Sequence, residues 1–309
     1  MHHLDVAILK TVIYGDIFHF PMTPREIHHF LISDDIVDVA DVINRLTTSV
    51  ELADVICNDG TYFALASREE LFELRRTREQ MMTHLQPQVQ RYGRILAYFP
   101  FVELVGVTGA LSMRNPSTTT DDLDYLVITK PGRVWLTRAL IIVLVRLMRL
   151  RKIEICPNYV LASDQLVQAR RDLYIAHEVT QLLPLSNLPL YWQLRNQNNW
   201  TADYLPNANE PFHKMENRPL NRIGKLMKQG IEGLLSTPIG NWLEKWEYRR
   251  KSSRFQHQAT APTASAEIDE GHVKGHFEDY GHYVLQRYDE LVQSYQLDNI
   301  STELQSAGD

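Results

Sequence analysis

The chain has 309 residues, 32 of them Lys or Arg and 38 Asp or Glu, for a formal net charge of −6. That length supplies material for two or three domains, and a composition 44% hydrophobic and 23% charged is that of an ordinary globular protein. The acidic balance argues against a general polyanion binder and leaves room only for a local basic patch.

The opening MHHLDVAILK lacks the positive start, apolar core and small-residue cleavage site of a signal peptide. Residues 1–66 read as three short helices and a hairpin. Thr23-Pro24-Arg25-Glu26 supplies an N-cap, a proline at the first helical position and a capping-box glutamate. Val39, Val42, Ile43 and Leu46 recur at helical spacing. ELADVIC, a turn at Asn58-Asp59-Gly60 and TYFAL then form a hairpin, because Asp-Gly supplies the positive backbone angles of a tight turn. This order resembles a winged helix. DNA is not expected as its partner: Asp34, Asp35, Asp38 and Asp41 crowd the segment that would enter a groove, with Arg45 as its one base. A protein contact or a packing role is expected instead.

Residues 67–98 read as a connecting helix, kinked at Pro87. Within 99–200 come a strand at Val102 to Val107, a strand at Asp124 to Thr129, a helix from about Val134 to Leu150, and the strand KIEICPNYVLA. Strand and helix alternate here, so this part is α/β and the whole chain α+β or α/β. ALIIVLV, Ala139 to Val145, is bracketed by Arg138 and Arg146 and falls far short of the roughly 20 residues that span a bilayer. A buried helix is expected, with no membrane partner. Residues 201–309 read as a helical region with a mobile linker near 257–272, where HQATAPTASAE is of low complexity. A last amphipathic helix falls near HFEDYGHYVLQRYDELVQSY. Cys57 and Cys156 have no metal-type spacing, and reduced thiols in the cytoplasm are expected.

The chemistry concentrates in TGALSMRNPSTTTDDLDYLVIT, Thr108 to Thr129, where Asp121, Asp122 and Asp124 crowd the entrance to an apolar strand. Such carboxylates repel one another unless something positive sits between them. Asp122 and Asp124 are two apart on a strand and share a face, with Leu123 and Tyr125 on the other. The pair suits Mg²⁺, which takes oxygen ligands and is held by one or two carboxylates plus phosphates; Mn²⁺ would serve in its place. Asp121 faces away, as a loop or capping residue. Upstream, Gly109 and Ala110 follow a strand, and glycine lets a phosphate approach the main chain. Ser112 and Arg114 are placed to add a hydroxyl and a cation.

Together these halves resemble the nucleotidyltransferase superfamily of the DNA polymerase beta type. That pattern is an apolar residue, Gly, then Gly or Ser, a spacer, and Asp-x-Asp or Asp-x-Glu entering a strand. Here it runs Gly109-Ala110, a spacer from Leu111 to Asp121, then Asp122-Leu123-Asp124. The neighbourhood of TGAL, DDLDYLVIT, Trp135 with Arg138, and CPNY is also similar to a group of bacterial predicted nucleotidyltransferases of unassigned substrate, over roughly residues 100 to 200. The resemblance implies metal held by Asp122 and Asp124, nucleotide phosphates bound near Gly109, Ala110, Ser112, Arg114 and Arg138, and a third carboxylate on a later strand that helps deprotonate an acceptor hydroxyl. Glu154, between Ile153 and Ile155, is the candidate. It further implies a nucleoside triphosphate as donor, an unidentified acceptor, small molecule or protein, and departure of pyrophosphate. Ala110 departs from the pattern, since Ser or Gly is usual there.

Lys130 to Lys152 carries seven bases and no acid among them, Arg138, Arg146 and Arg149 falling near one another on the helix. His177-Glu178 lacks the second histidine of a zinc-protease helix, and a packing role behind the site is expected. The competing reading is a catalytically silent nucleotidyltransferase fold that serves as a nucleotide-binding or regulatory module, with a protein partner on its N-terminal domain.

Overall fold

The structure, a computed structural model, describes residues 1–214, 220–259, 269–274 and 280–297. Helix α1 (His3–Ile17) leads, started by a reciprocal cap between His2 and Asp5. Helix α2 (Pro24–His29) begins as its sequence dictates: the Thr23 hydroxyl accepts from Glu26 N at 3.2 Å, and Glu26 accepts from Thr23 N at 2.8 Å. Helix α3 (Val39–Thr48) buries Val42 and leaves Ile43 exposed. ELADVIC divides in two. The Ser49 hydroxyl accepts from Leu52 N at 3.3 Å and caps a short helix α4 (Val50–Ala53), so strand β1 (Ile56–Asn58) starts later than expected. β1 pairs antiparallel with β2 (Phe63–Leu65), and Gly60 in the turn has φ +88°.

Helix α5 (Glu70–Ala97) is continuous for 28 residues, with Pro87 inside it. It is more than a connector: Leu85, Val89, Tyr92 and Leu96 are buried against the sheet. Nearer its start, Arg75 is buried with its Nη2 donating to Glu26 at 2.7 Å, its Nε donating to Glu79 at 3.0 Å, and its guanidinium 3.9 Å over the Phe20 ring.

After α5 come strand β3 (Val102–Val107), a single turn α6 (Gly109–Ser112), strand β4 (Leu123–Thr129), helix α7 (Val134–Arg149) and strand β5 (Ile155–Ala162). Helix α8 (Leu173–Thr180), a two-residue strand β6 (Leu183–Pro184) and helix α9 (Leu188–Gln197) follow. Then come helices α10 (Arg222–Leu235) and α11 (Pro238–Ala259), strand β7 (His272–Lys274) and helix α12 (Tyr280–Ser294). Five strands make a mixed sheet in the order β6-β3-β4-β5-β7, in which only β4 and β5 run parallel. The chain is therefore of α+β class.

Between Asp124 and Thr129 β4 is an unbroken apolar run, Tyr125 to Ile128, because both of its faces are covered. Tyr125 and Val127 join Val105, Val107 and Trp135 in a core with α5 and α7. Leu126 and Ile128 join Leu104 and Leu161 in a second core, which also takes in α1, α8, α9 and α12. The N-terminal helices thus share a core with the sheet. α7 buries only one face: Val143 and Leu147 are exposed, so ALIIVLV is not the buried helix its sequence led us to expect. Of the linker expected near 257–272, residues 260–268 lie outside the described residues; 257–259 belong to α11, and His272 opens β7. No helix among the described residues is long and apolar enough to cross a membrane.

Candidate functional site

The site lies where β3 ends and β4 and β5 begin. Parallel pairing sets Asp124 opposite Cys156 and Leu123 opposite Ile155, but the next pair is Leu126 with Tyr159. The irregularity falls at Pro157-Asn158, where proline cannot donate to the ladder. It re-aims Asn158, whose Nδ2 donates to Asp124 Oδ1 at 2.7 Å while its own Oδ1 accepts from the Cys156 thiol at 2.9 Å.

Gly109 closes the opposite side. Its φ of +62° is left-handed, and a Cβ there would stand 3.0 Å from Asp124 Oδ2. Only glycine lets the β3–α6 turn come this close to the carboxylate. Thr108 N donates to Asp124 O at 3.2 Å, and the Thr108 hydroxyl is buried without a hydrogen-bond partner. Ala110 is exposed beside it.

Asp122 stands near enough for its charge to act on Asp124, while Leu123 and Tyr125 point into the core. Burial, then the charges of Asp122 and Glu178, push the Asp124 carboxyl up to about 7, against hydrogen bonds from Cys156 and Asn158. Asp122 is raised by burial and then by the nearby negative charges of Glu154 and Asp121. Glu154 sits one residue before β5, exposed, its carbonyl accepting from Leu123 N at 2.8 Å and its carboxylate 3.9 Å from Arg149. Cys156 is pushed up to about 12 by burial and by Asp124 and Asp122, so its thiol stays protonated. Asp121 accepts from Thr118 N at 2.9 Å and also from Ser117 N and the Thr118 hydroxyl, which closes its own loop.

Ser112, Arg138 and Arg114 were the other expected phosphate contacts. Ser112 is buried, and its hydroxyl donates to Gly109 O at 2.7 Å, so it braces the turn from within. Arg138 is half-buried near Glu247 and Cys156, the strand partner of Asp124, and burial lowers its affinity for a proton. The charge of Arg114, which has φ +55°, bears on His213. The cation that bears on Asp122 is Arg149. Arg45, the lone base of the N-terminal segment, donates through Nε to buried Asp5 at 2.6 Å.

Sequence reasoning missed Asn158, Glu178 as a neighbouring charge, and a cavity of about 230 Å³ lined in part by Gly109 and Ala110. Tyr14 and Phe18 of the N-terminal segment, Tyr174 and His177 of α8, and Tyr280 of α12 line it. His177 is a wall residue: its ring stacks on Tyr14 at 3.8 Å, Nδ1 meets Leu173 O at 2.9 Å, and burial lowers its pKa to about 4. The loop after α6 is tied to the N-terminal segment, because Asn115 donates to Phe18 O at 3.1 Å and Arg78 donates to both Phe18 O and Asn115 Oδ1.

No family model, curated protein or solved structure matches this chain. Among the described residues, no three His, Cys, Asp or Glu side chains form a metal-holding group. The donor set at the site is the carboxylate pair Asp122 and Asp124. Two carboxylates raised by burial and by neighbouring negative charge, beside an unpartnered hydroxyl, fit a hard cation that keeps waters and shares phosphate oxygens.

Proposed function

We propose that the chain is a Mg²⁺-dependent nucleotidyltransferase, moving a nucleotidyl group from a nucleoside triphosphate to a hydroxyl acceptor. The observation that carries this reading is the close approach of Gly109 to Asp124, which joins the two halves of the resemblance at one point. The strand–turn–strand–helix–strand order, with β3 antiparallel to β4 and β4 parallel to β5, supports a nucleotidyltransferase-type sheet over 99–200. Residues 1–66 are read with it as a winged-helix-like unit, 67–98 as the connecting helix and 201–309 as a helical C-terminal region.

In this reading Asp122 and Asp124 hold the metal. Mg²⁺ supplies neutralisation of the triphosphate and alignment of the acceptor oxygen with the α-phosphorus. Asn158 fixes the Asp124 carboxylate so that it need not reorganise. Gly109 keeps the main chain clear for phosphate oxygens. Glu154, its carboxylate 3.9 Å from Arg149, is the group that would accept the proton of the attacking hydroxyl. The aromatic walls of the cavity receive the organic part of a substrate whose phosphates lie at Gly109.

One observation favours the silent module. Ala110 brings no hydroxyl, and that of Ser112 is turned inward. Thermal unfolding with Mg²⁺ and each nucleoside triphosphate tests binding, and pyrophosphate release tests turnover. A ligand at 100 times its Kd stabilises by about 2.7 kcal/mol. The proposal expects stabilisation that needs Mg²⁺ and disappears in the Asp122→Asn/Asp124→Asn variant. Stabilisation without pyrophosphate release across acceptors leaves the binding module. No stabilisation by any triphosphate refutes the nucleotidyltransferase and leaves the fold as a regulatory module that works through a protein partner.

A further inference from the structure

Helices α10 and α11 are mounted with their apolar sides outward. α10 meets the rest of the protein through polar or small residues. Glu232 accepts from Phe101 N and from Lys130 Nζ, each at 2.7 Å; Lys228 donates to Ala97 O at 3.0 Å and to Val102 O; Gly224 lies against the Tyr98 ring. Its apolar stripe, Ile223, Leu226, Met227, Ile231 and Leu234, recurs at spacings of one helical face. All five are exposed, Ile223 at 71% and Leu234 at 73%. α11 repeats the arrangement. Glu244 accepts from Trp135 N at 2.9 Å and Leu136 N at 2.7 Å, capping α7, whereas Ile239, Trp242 and Trp246 face outward. These contacts hold the helices firmly in this orientation, since withdrawing a buried carboxylate from its donors is strongly unfavourable.

The charges divide the same way. The segment from Asn221 to Lys251 has three acids, Glu232, Glu244 and Glu247, and all three are buried. Arg222, Lys225, Lys245 and Arg249 are exposed. Trp242 and Trp246 stack at 6.2 Å, with the Arg250 guanidinium 5.1 Å from the Trp246 ring. A protein of net charge −6 thus carries one surface that is apolar, tryptophan-bearing and cationic, with its acids withdrawn. Tryptophan, aliphatic side chains and flanking Lys and Arg are the pattern of helices that lie in the plane of a bilayer interface.

We propose that the outer face of α10 and α11 docks on an anionic lipid surface. The helices lie in the headgroup region without crossing, so the shortness of the apolar runs is no obstacle. The apolar stripe enters the headgroup–acyl boundary, and the exposed cations meet lipid phosphates. A protein partner would need a fixed register of donors and acceptors around its apolar centre, and the withdrawn acids leave mostly cations for that rim.

The test is co-sedimentation of the full chain with vesicles of phosphatidylglycerol and phosphatidylcholine in equal parts, and with phosphatidylcholine alone. Expected are binding to the anionic vesicles, a blue shift of tryptophan emission, and weakening as salt rises from about 0.05 to 0.5 M. Trp242→Ser/Trp246→Ser and Lys245→Glu/Arg249→Glu should each bind at least about tenfold more weakly, with unchanged circular dichroism because these side chains are exposed. Absence of binding, or binding indifferent to lipid charge or to these substitutions, overturns the proposal. A concentration-dependent dimer abolished by Trp242→Ser/Trp246→Ser, without vesicle binding, would assign the face to a second copy and also overturn it.

Discussion

Replacing Gly109 by alanine separates backbone strain from site geometry. At φ +62° a residue with a Cβ costs about 1–2 kcal/mol. The new methyl would also stand 3.0 Å from Asp124 Oδ2 and 3.7 Å from its Cγ, so the carboxylate must move by a few tenths of an ångström. Asp124 cannot retreat freely, because Asn158 holds Oδ1 at 2.7 Å and Thr108 N holds its carbonyl at 3.2 Å. Gly60→Ala is the matched control: φ there is +88°, and its Cβ would meet nothing within 4 Å. Urea unfolding should therefore show both variants destabilised by about 1–2 kcal/mol. They part at the site, where misplacement by as much as 1 Å can lower a rate by about 100-fold. Gly109→Ala should weaken Mg²⁺-dependent stabilisation by a triphosphate at least about tenfold, and Gly60→Ala should leave it unchanged. Equal nucleotide responses in the two would refute the reasoning that the Gly109–Asp124 approach builds the site.

Removing Asn158 as Asn158→Ala should lower apparent Mg²⁺ affinity in the presence of nucleotide by about 10–100-fold, read from a Mg²⁺ titration of the thermal shift, with only a small change in unliganded stability. Arg75→Met strands Glu26 in the core and should cost about 3–5 kcal/mol in urea unfolding. Adding Glu26→Gln keeps an acceptor for Thr23 N, so the double variant should recover part of that loss; strict additivity would refute the coupling. His177 titrates at about 4 when folded, below its ordinary 6.5. The neutral, buried ring therefore contributes stability in full above pH 6.5 that is lost as pH falls toward 4, by about 3 kcal/mol at most. His177→Phe should flatten the stability profile across that window, and an unchanged slope there would sink the assignment.

Where one local rule acted alone, the sequence was a sound guide. The α2 capping box, the Gly60 turn and the alternation of β4 about Asp124 each follow from neighbours in the chain. Other features depend on what lies across space. Asn158 reaches Asp124 only because the β5 register slips at Pro157, and nothing within CPNY says which way the slip turns. β6 and β7 span two and three residues, too few for periodicity to register. Pro87 removes one backbone donor, yet α5 runs through it, since burial of residues on both sides holds the helix together. Ser112 looked free in a linear motif and is used up inside its own turn. In α10 the spacing marks an apolar stripe correctly, but which face meets the protein is decided by Glu232 and Lys228.

The cavity wall joins distant parts of the chain: Tyr14 and Phe18 come from near its start, and Tyr280 from the last described helix. α1 and α12 share a core, Tyr14 meeting Tyr288 at 5.8 Å. During synthesis α1 waits for roughly 260 more residues, some 13 to 50 s at ribosomal rates of about 5–20 residues per second. Almost every side of α1 is apolar and buried in the finished fold, so through that interval it has no complete partner. The chamber beside the carboxylates closes late, and a ribosome-bound chain stopped short of α12 carries the acids of the site without the wall that would enclose a substrate.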